Sequence, residues 1–287
     1  MRKTATISGV RRIVRQWKKA GKRVGFVPTM GALHEGHLSL IRHSRTVTDH
    51  TVVSIFVNPT QFGPGEDFKA YPRTLTRDLA LCRSEGADLV FVPRTPTMYP
   101  EGEQTRIHVG SLGDPWEGRV RPGHFDGVAT VVLKLFEIVS PDVAVFGQKD
   151  FQQAAILLQM VRDLNLPVKL LVRPTVREPD GLALSSRNVY LDNLSRQEAP
   201  VLYRVLKWAR GRIRNGRVST AFLERRMRTE VESGGGFTVD YVAFCDPNTL
   251  ESKATPIPPL VILIAATCRR PGPAKGRRFI DNLLIRN

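Results

Sequence analysis

The sequence predicts an α/β fold, a Rossmann-like doubly wound parallel sheet followed by a smaller C-terminal α+β domain. Three observations predict it. Short β-branched apolar runs alternate with longer helical patterns as far as Val172. Pro and Gly punctuate the carboxyl side of the runs, where doubly wound folds carry their ligand loops. Near Pro174 to Gly181 the alternation stops, and basic helices followed by three strand-like runs take its place.

In order, Arg11 to Ala20 is polar with sparse apolar positions and reads as a surface helix, and Arg23 to Val27 is a short strand. Pro28, Gly31 and Gly36 mark a loop, after which Leu38, Leu40, Ile41 and Val47 suit one helix face and Thr51 to Val57 a buried parallel strand. Strand, loop, helix and strand make a βαβ unit. The pattern repeats with a helix at Thr74 to Glu85, a strand at Asp88 to Val92, a helix at Asp126 to Val139 and a strand at Asp142 to Phe146. A helix at Gln152 to Leu164 and a strand at Val168 to Val172 follow. A boundary near Val176 divides the chain into domains 1–176 and 177–287. The second holds helices at Ser195 to Asn215 and Thr220 to Ser233, then strands at Thr238 to Phe244, Leu260 to Ala266 and Phe279 to Ile285. There is no internal repeat, and Gly234 to Gly236 is the one low-complexity patch.

Composition narrows the class. A chain of 287 residues, 41% hydrophobic and 24% charged, can bury a large core. Cys82, Cys245 and Cys268 are dispersed, with no Cys-x-x-Cys, so reduced thiols and a cytoplasmic location are expected and a disulfide framework or structural zinc is not. Met1 to Arg23 lacks the apolar stretch of a signal peptide, and Leu260 to Ala266 falls far short of the ~20 apolar residues that span a bilayer. The net charge of +16 is concentrated in residues 2–23, 196–230 and 266–287, leaving the motif-bearing span between them close to balanced. Basic clusters without interleaved aromatic platforms read as solvated faces, so no specific nucleic acid is expected. A polyanion-binding protein using those faces stays as the reading from another class.

Four segments carry chemistry. Pro28-Thr29-Met30-Gly31-Ala32-Leu33-His34-Glu35-Gly36-His37 follows a strand and opens a helix, whose N-terminus favours phosphate, and protonated imidazole can neutralise charge on a phosphoryl oxygen. Alone, the histidine pair reads equally as half a zinc site or as two surface histidines. Ser54-Ile55-Phe56-Val57-Asn58-Pro59-Thr60-Gln61-Phe62 ends a strand and delivers an amide, which can donate to a carboxylate and accept from a hydroxyl; a turn-capping loop has the same wording. In Phe146-Gly147-Gln148-Lys149-Asp150-Phe151-Gln152-Gln153, Gly147 allows close backbone approach, Lys149 can meet phosphate, and Asp150 can bind ribose or merely cap the helix. Asp180-Gly181-Leu182-Ala183-Leu184-Ser185-Ser186-Arg187-Asn188 supplies hydroxyls and a guanidinium at the boundary, in a form that plain connectors share.

Together these segments resemble, in order, spacing and wording, those of the pantothenate synthetase or pantoate–β-alanine ligase family. Tyr71-Pro72-Arg73-Thr74 and Gly123-His124-Phe125-Asp126-Gly127-Val128-Ala129-Thr130 agree as well, and Ile280-Asp281-Asn282 more loosely. The resemblance is detailed over residues 24–192. It implies a Rossmann-like domain of the kind shared with class I aminoacyl-tRNA synthetases, binding ATP and pantoate, with residues 177–287 as a lid. It also implies ATP-dependent condensation of (R)-pantoate with β-alanine through pantoyl adenylate, releasing AMP and pyrophosphate. On that resemblance Met30, Gly31, Ala32, Leu33, His34, Glu35, Gly36 and His37 line the ATP site, with His37 as proton donor and His34 on the phosphates. Gly147, Gln148, Lys149, Asp150, Val176, Leu184, Ser185, Ser186 and Arg187 contact ATP, Lys149 and Arg187 joining the histidines in catalysis. Gln61 and Gln153 hold pantoate, Gln61 near β-alanine too. Magnesium on the triphosphate and a homodimer are also implied.

The chain departs from the family at Gln148, where Glu is frequent, and at Leu184, where Met is frequent; both are expected to act through backbone groups. Arg77 beside Asp78 stands where some relatives have a second acid, which leaves the protein ligands of magnesium unknown. The rival within the enzyme class is a nucleotidyl transferase that stops after adenylyl transfer, against which Gln61 and Gln153 predict an acid-binding pocket.

Overall fold

The computed structural model describes residues 1–216 and 218–286, which divide into two compact units. The first comprises Met1–Asp114, Gly118–Gln148 and Ile156–Pro174. Its strands are β1 (Arg2–Thr4), β2 (Val24–Thr29), β3 (His50–Ile55), β4 (Leu89–Phe91), β5 (Val143–Gly147) and β6 (Lys169–Arg173). All pair in parallel, in the order β1-β4-β3-β2-β5-β6. The helices up to β6 are α1 (Ile7–Lys19), α2 (Glu35–Val47), α3 (Leu75–Ser84), α4 (Thr95–Met98), α5 (Glu117–Val120), α6 (His124–Val139) and α7 (Phe151–Asp163).

Side chains alternate across β2, so Val24 and Phe26 join one core with Val10, Val14, Leu135 and Phe136, and Val27 joins the other with Leu33, Ile41 and Val53. A sheet covered on both faces needs apolar residues at consecutive positions, which is why these strands read as unbroken runs. At Gly25 a Cβ would lie 2.1 Å from the Ser44 hydroxyl, so this glycine is what lets α2 lie close against β2. From β2 the chain builds outward through β3 and β4, then returns to place β5 on the other side of β2. The carboxyl ends of β2 and β5 thus form the switch point, where open α/β sheets bind ligands.

The second unit comprises Pro115–Glu117, Lys149–Ala155 and Thr175–Asn287. It contains α8 (Asn193–Glu198), α9 (Val201–Arg214), α10 (Thr220–Glu232) and an antiparallel sheet of β7 (Phe237–Cys245), β8 (Leu260–Cys268) and β9 (Arg278–Ile285). Leu202, Leu206, Leu223 and Met227 of the helices pack with Phe237, Ile262, Ile264 and Phe279 of the sheet. A buried polar network ties in the early segment. Gln152 accepts from the Glu117 N–H at 3.1 Å and donates to the Pro115 carbonyl at 2.9 Å, while Tyr241 donates to the Glu117 carboxylate at 3.1 Å.

Three of the differences from the sequence reading have a plain physical reason. Strand β1 was not expected, since Arg2 to Thr4 carries no apolar signal and its place comes from pairing with β4. The first helix starts at Ile7, because the Thr6 hydroxyl accepts from the Gly9 N–H at 3.1 Å and caps it. The helix expected over Ser195 to Asn215 is two, α8 and α9, broken at Pro200, which has no N–H to donate.

All three cysteines are free and buried. Burial, with Asp78 nearby for Cys82 and Asp246 for Cys245, pushes both thiols up to about 12, which keeps them unreactive. Among the described residues no helix is long and apolar enough to cross a membrane.

Candidate functional site

The loop after β2 is held by a buried carboxylate. Gly31 and Ala32 both take left-handed backbone, at φ +85° and +49°, a conformation that an alanine adopts only under constraint. Asp78 of α3, 1% exposed, supplies that constraint by accepting from the Ala32 N–H at 3.0 Å and the Leu33 N–H at 2.8 Å, while Thr74 donates to it at 3.1 Å. Both oxygens of Asp78 are engaged in holding the loop.

His34 then caps α2. Its Nδ1 accepts from the Gly36 N–H at 3.2 Å, and Nδ1 of His37 accepts from the His34 N–H at 3.4 Å, a reciprocal capping box. The ring centroids are 4.1 Å apart. A ring nitrogen that accepts carries no proton, so in each neutral imidazole the proton sits on Nε2. The two caps thus set the same tautomer in both rings at the helix N-terminus. Glu35 is exposed and paired with Arg42, which also meets Glu85 at 2.8 Å, so its charge is balanced away from the histidines.

Beyond β3, a short 3₁₀ turn at Pro59–Gln61 carries Gln61, 8% exposed. Asn58 sets its orientation. The Asn58 Nδ2 donates to the Gly127 carbonyl at 3.2 Å, and a carbonyl can only accept, which fixes the amide. Its Oδ1 accepts from Tyr99 at 2.7 Å and Thr60 at 3.0 Å, and its Nδ2 also donates to Gln61 Oε1 at 3.1 Å. Gln61 is left to direct Nε2 at the Met30 sulfur, 3.1 Å away, a weak acceptor that a carboxylate or hydroxyl oxygen would readily replace.

The Gln61 backbone is held equally firmly. Its carbonyl accepts from His124 Nδ1 at 2.7 Å and from Arg121 at 3.2 Å, and Arg121 also donates to His124 Nε2 at 2.9 Å. His124 is thereby restricted to the Nδ1–H tautomer. Glu66 accepts two bonds from the Arg121 guanidinium, at 2.7 and 2.6 Å. Burial raises the Glu66 pKa, but the Arg121 hydrogen bond and charge outweigh it and hold the carboxyl below its ordinary value. A depressed carboxylate stabilises the fold above its unfolded pKa of about 4.3, and that contribution is lost as pH falls through the lower folded value. The stability difference between wild type and Glu66→Gln, read from denaturant midpoints, should therefore be constant above about pH 5 and shrink as the solution is acidified towards pH 3. A difference independent of pH would show that the carboxylate charge contributes nothing.

At the end of β5, the Gln148 N–H continues the ladder by donating to the Arg173 carbonyl at 2.7 Å. A Cβ on Gly147 would meet nothing within 4 Å, so protein packing does not demand a glycine there. The switch-point edge thus gathers the loop from Met30 to His37, the Asn58–Gln61 turn and Gly147–Gln148 within one unit.

In the second unit Lys149 and Asp150 lie 3.6 Å apart as an ion pair just before α7, and Gln153 is half-buried on its first turn, next to the fully engaged Gln152. Val176 and Leu184 face each other across a hairpin, the Leu184 N–H donating to the Val176 carbonyl at 3.0 Å. Ser185 accepts from the Arg187 N–H at 3.3 Å and caps the turn that carries Ser186 and Arg187. The backbone role expected for Leu184 is thus partly taken up inside the hairpin.

The roles of His124, Gly127, Tyr99, Arg121 and Asp78 emerge only in the structure. A polar or glycine residue in an otherwise apolar helix, as at His124 and Gly127, was the available signal. Among the described residues no three His, Cys, Asp or Glu side chains converge, and Asp78 is spent on backbone N–H groups.

The family model for pantoate–β-alanine ligase matches residues 2–284. The pantothenate synthetase of Caldicellulosiruptor bescii is 47% identical over 279 residues, covering 97% of both chains, and that of Acidothermus cellulolyticus is 56% identical, covering 79% of this chain and 75% of its own. The crystal structure of pantothenate synthetase from Thermus thermophilus superposes with a TM-score of 0.92 at 46% identity over 100% of both chains. That of the ligase from Francisella tularensis, complexed with beta-gamma ATP and β-alanine, gives 0.82 at 34% identity, covering 99% of this chain and 97% of its own. Matched from end to end in sequence and in fold, this chain belongs to the pantoate–β-alanine ligase family.

Proposed function

We propose that the chain condenses (R)-pantoate with β-alanine in two half-reactions driven by ATP. The observation that carries this is the reciprocal histidine capping box at the N-terminus of α2, standing at the same switch-point edge as a donor-oriented Gln61. A pantoate carboxylate oxygen attacks the α-phosphorus of ATP; the bond to the bridging oxygen breaks and pyrophosphate leaves. The amine of β-alanine, once deprotonated, attacks the acyl carbon of pantoyl adenylate, and AMP leaves with the C–O electron pair. Adenylation turns a carboxylate oxygen, which cannot leave, into a good leaving group.

In this reading His34 and His37 donate to phosphate oxygens as negative charge grows on them, which acts best from a fixed, pre-aligned position. Gln61 and Gln153 hold pantoate, Gln61 through Nε2. The backbone at Gly147 leaves open space for the nucleotide, and Lys149, Asp150, Val176, Leu184, Ser185, Ser186 and Arg187 contact ATP. ATP brings its magnesium on the triphosphate as part of the substrate. The enzyme works in the cytoplasm, which free thiols favour, as a homodimer that sedimentation would reveal.

The decisive test is isotope exchange. With magnesium, ATP and pantoate but no β-alanine, labelled pyrophosphate should enter ATP, and omission of pantoate should abolish the exchange. His34→Ala and His37→Ala should suppress exchange by ~10²-fold or more, the scale of a lost transition-state donor, while conversion of preformed pantoyl adenylate by β-alanine suffers less. Exchange that needs β-alanine would replace the two-step scheme with a concerted ternary one.

A further inference from the structure

Two polar residues sit in the middle of β9 where a strand facing a core should be apolar. Asp281 and Asn282 are 4% and 2% exposed. Burying a carboxylate and an amide is tolerated only when both are paired, so their partners show what they are for.

Asp281 takes the Arg177 guanidinium in a two-point fork, at 2.6 and 2.8 Å. Arg177 also donates to the Gly181 carbonyl at 3.0 Å and lies 3.7 Å over the Tyr203 ring. Arg177 and Gly181 belong to the turn whose strands pair at Arg177 and Ala183, and which leads directly into Ser185 and Arg187. Asn282 Nδ2 donates to the Lys149 carbonyl at 2.8 Å, at the point where the chain enters α7. Adjacent residues of one strand thus hold the two segments that carry Lys149 and Arg187, all inside the second unit.

We infer that Asp281 and Asn282 are positioning residues for adenylation, Asn282 aiming Lys149 and Asp281, through Arg177, aiming Arg187. This rests on the phosphate roles proposed above for those two cations. Fixing both from adjacent positions of one strand ties their spacing to the sheet. Catalysis by charge placement is sensitive to displacements on the ångström scale, so loss of either anchor should appear in rate before it appears in fold.

The test uses the full-length protein and pyrophosphate exchange per folded molecule. Asn282→Ala and Asp281→Asn should each lower the exchange kcat by roughly ten- to a hundredfold, with the pantoate KM changed less than about twofold. Added to Lys149→Met, Asn282→Ala should bring no further loss, since its target is already gone; added to Arg187→Met, it should keep its full effect. Arg177→Lys, which keeps the charge beside Asp281 but cannot also reach Gly181, should mimic Asp281→Asn, and it carries the test if Asn282→Ala does not fold. Wild-type exchange in the Asn282 and Arg177 variants, alongside a slow Lys149→Met enzyme, overturns the positioning role and leaves the proposed function intact. Losses that multiply fully in the Lys149 double variant overturn it as well. Normal exchange by Lys149→Met itself removes Lys149 from the phosphate set, and the positioning role of Asn282 with it, while leaving the two-step scheme standing.

Discussion

Lys149→Met and Arg187→Met are each expected to slow pyrophosphate exchange by ~10²–10³-fold while the protein stays folded, the effect of removing one preorganised donor from developing charge. At Lys149 the structure separates charge from stability. Lys149 pairs with Asp150 at 3.6 Å, and that carboxylate is half exposed, so the pair contributes about 0–1 kcal/mol. The Arg187 N–H donates to the Ser185 hydroxyl at 3.3 Å, which holds its turn through the backbone. Methionine retains most of the length and apolar stem of either side chain. Exchange kinetics beside a thermal melt measures both halves of the claim, and a variant that exchanges at the wild-type rate removes that residue from the phosphate set.

Gly127→Ala should do the opposite, harming the fold first and pantoate binding with it. A Cβ on Gly127 would lie 2.2 Å from the Thr60 carbonyl oxygen and 2.8 Å from the Gln61 nitrogen, and neither is the end of a flexible side chain. Helix α6 must draw back or the Asn58–Gln61 turn must move. Either motion stretches the Asn58 bond to the Gly127 carbonyl, which fixes the polarity of the Asn58 and Gln61 amides. Overpacking of this kind costs about 1–3 kcal/mol, and the displaced Gln61 should raise the pantoate KM far more than the ATP KM. Denaturant midpoints and the two KM values check it; an unchanged pantoate KM would mean that α6 yields without disturbing the turn.

The outline of the fold and the position of each motif were legible because both signals are local. Buried parallel strands need continuous apolar residues, helices need a repeat near 3.6, and ligand loops follow strand ends, so Val24 to Thr29 and Val143 to Gly147 announce themselves within a few residues. The break at Pro200 was local too, but the continuous basic pattern around it masked the missing N–H.

What a residue does to another far along the chain was not legible. Asp78 meets Ala32 and Leu33, His124 meets Gln61, and Asn282 meets Lys149, separations of 45, 63 and 133 positions in their hydrogen bonds. Nothing near Asp78 in sequence distinguishes a metal ligand from a carboxylate that holds a left-handed loop; the two backbone N–H groups on its oxygens decide it.

The histidine pair and Gln61 show the same division. Sequence alone determined that His34 and His37 stand three apart at the start of a helix, one turn of which brings them together, and that Gln61 and Lys149 follow strands of the same kind. Local capping sets the histidine tautomers, and only the tertiary structure decides how the Gln61 amide is turned. The Nδ1 atoms of His34 and His37 accept from backbone N–H groups two and three residues away, whereas Asn58, fixed by the distant Gly127 carbonyl, turns the Gln61 amide so that it donates. The reason is that hydrogen-bond polarity propagates through neighbours from a group that can act in one sense only, here the Gly127 carbonyl, and those neighbours come from distant parts of the chain.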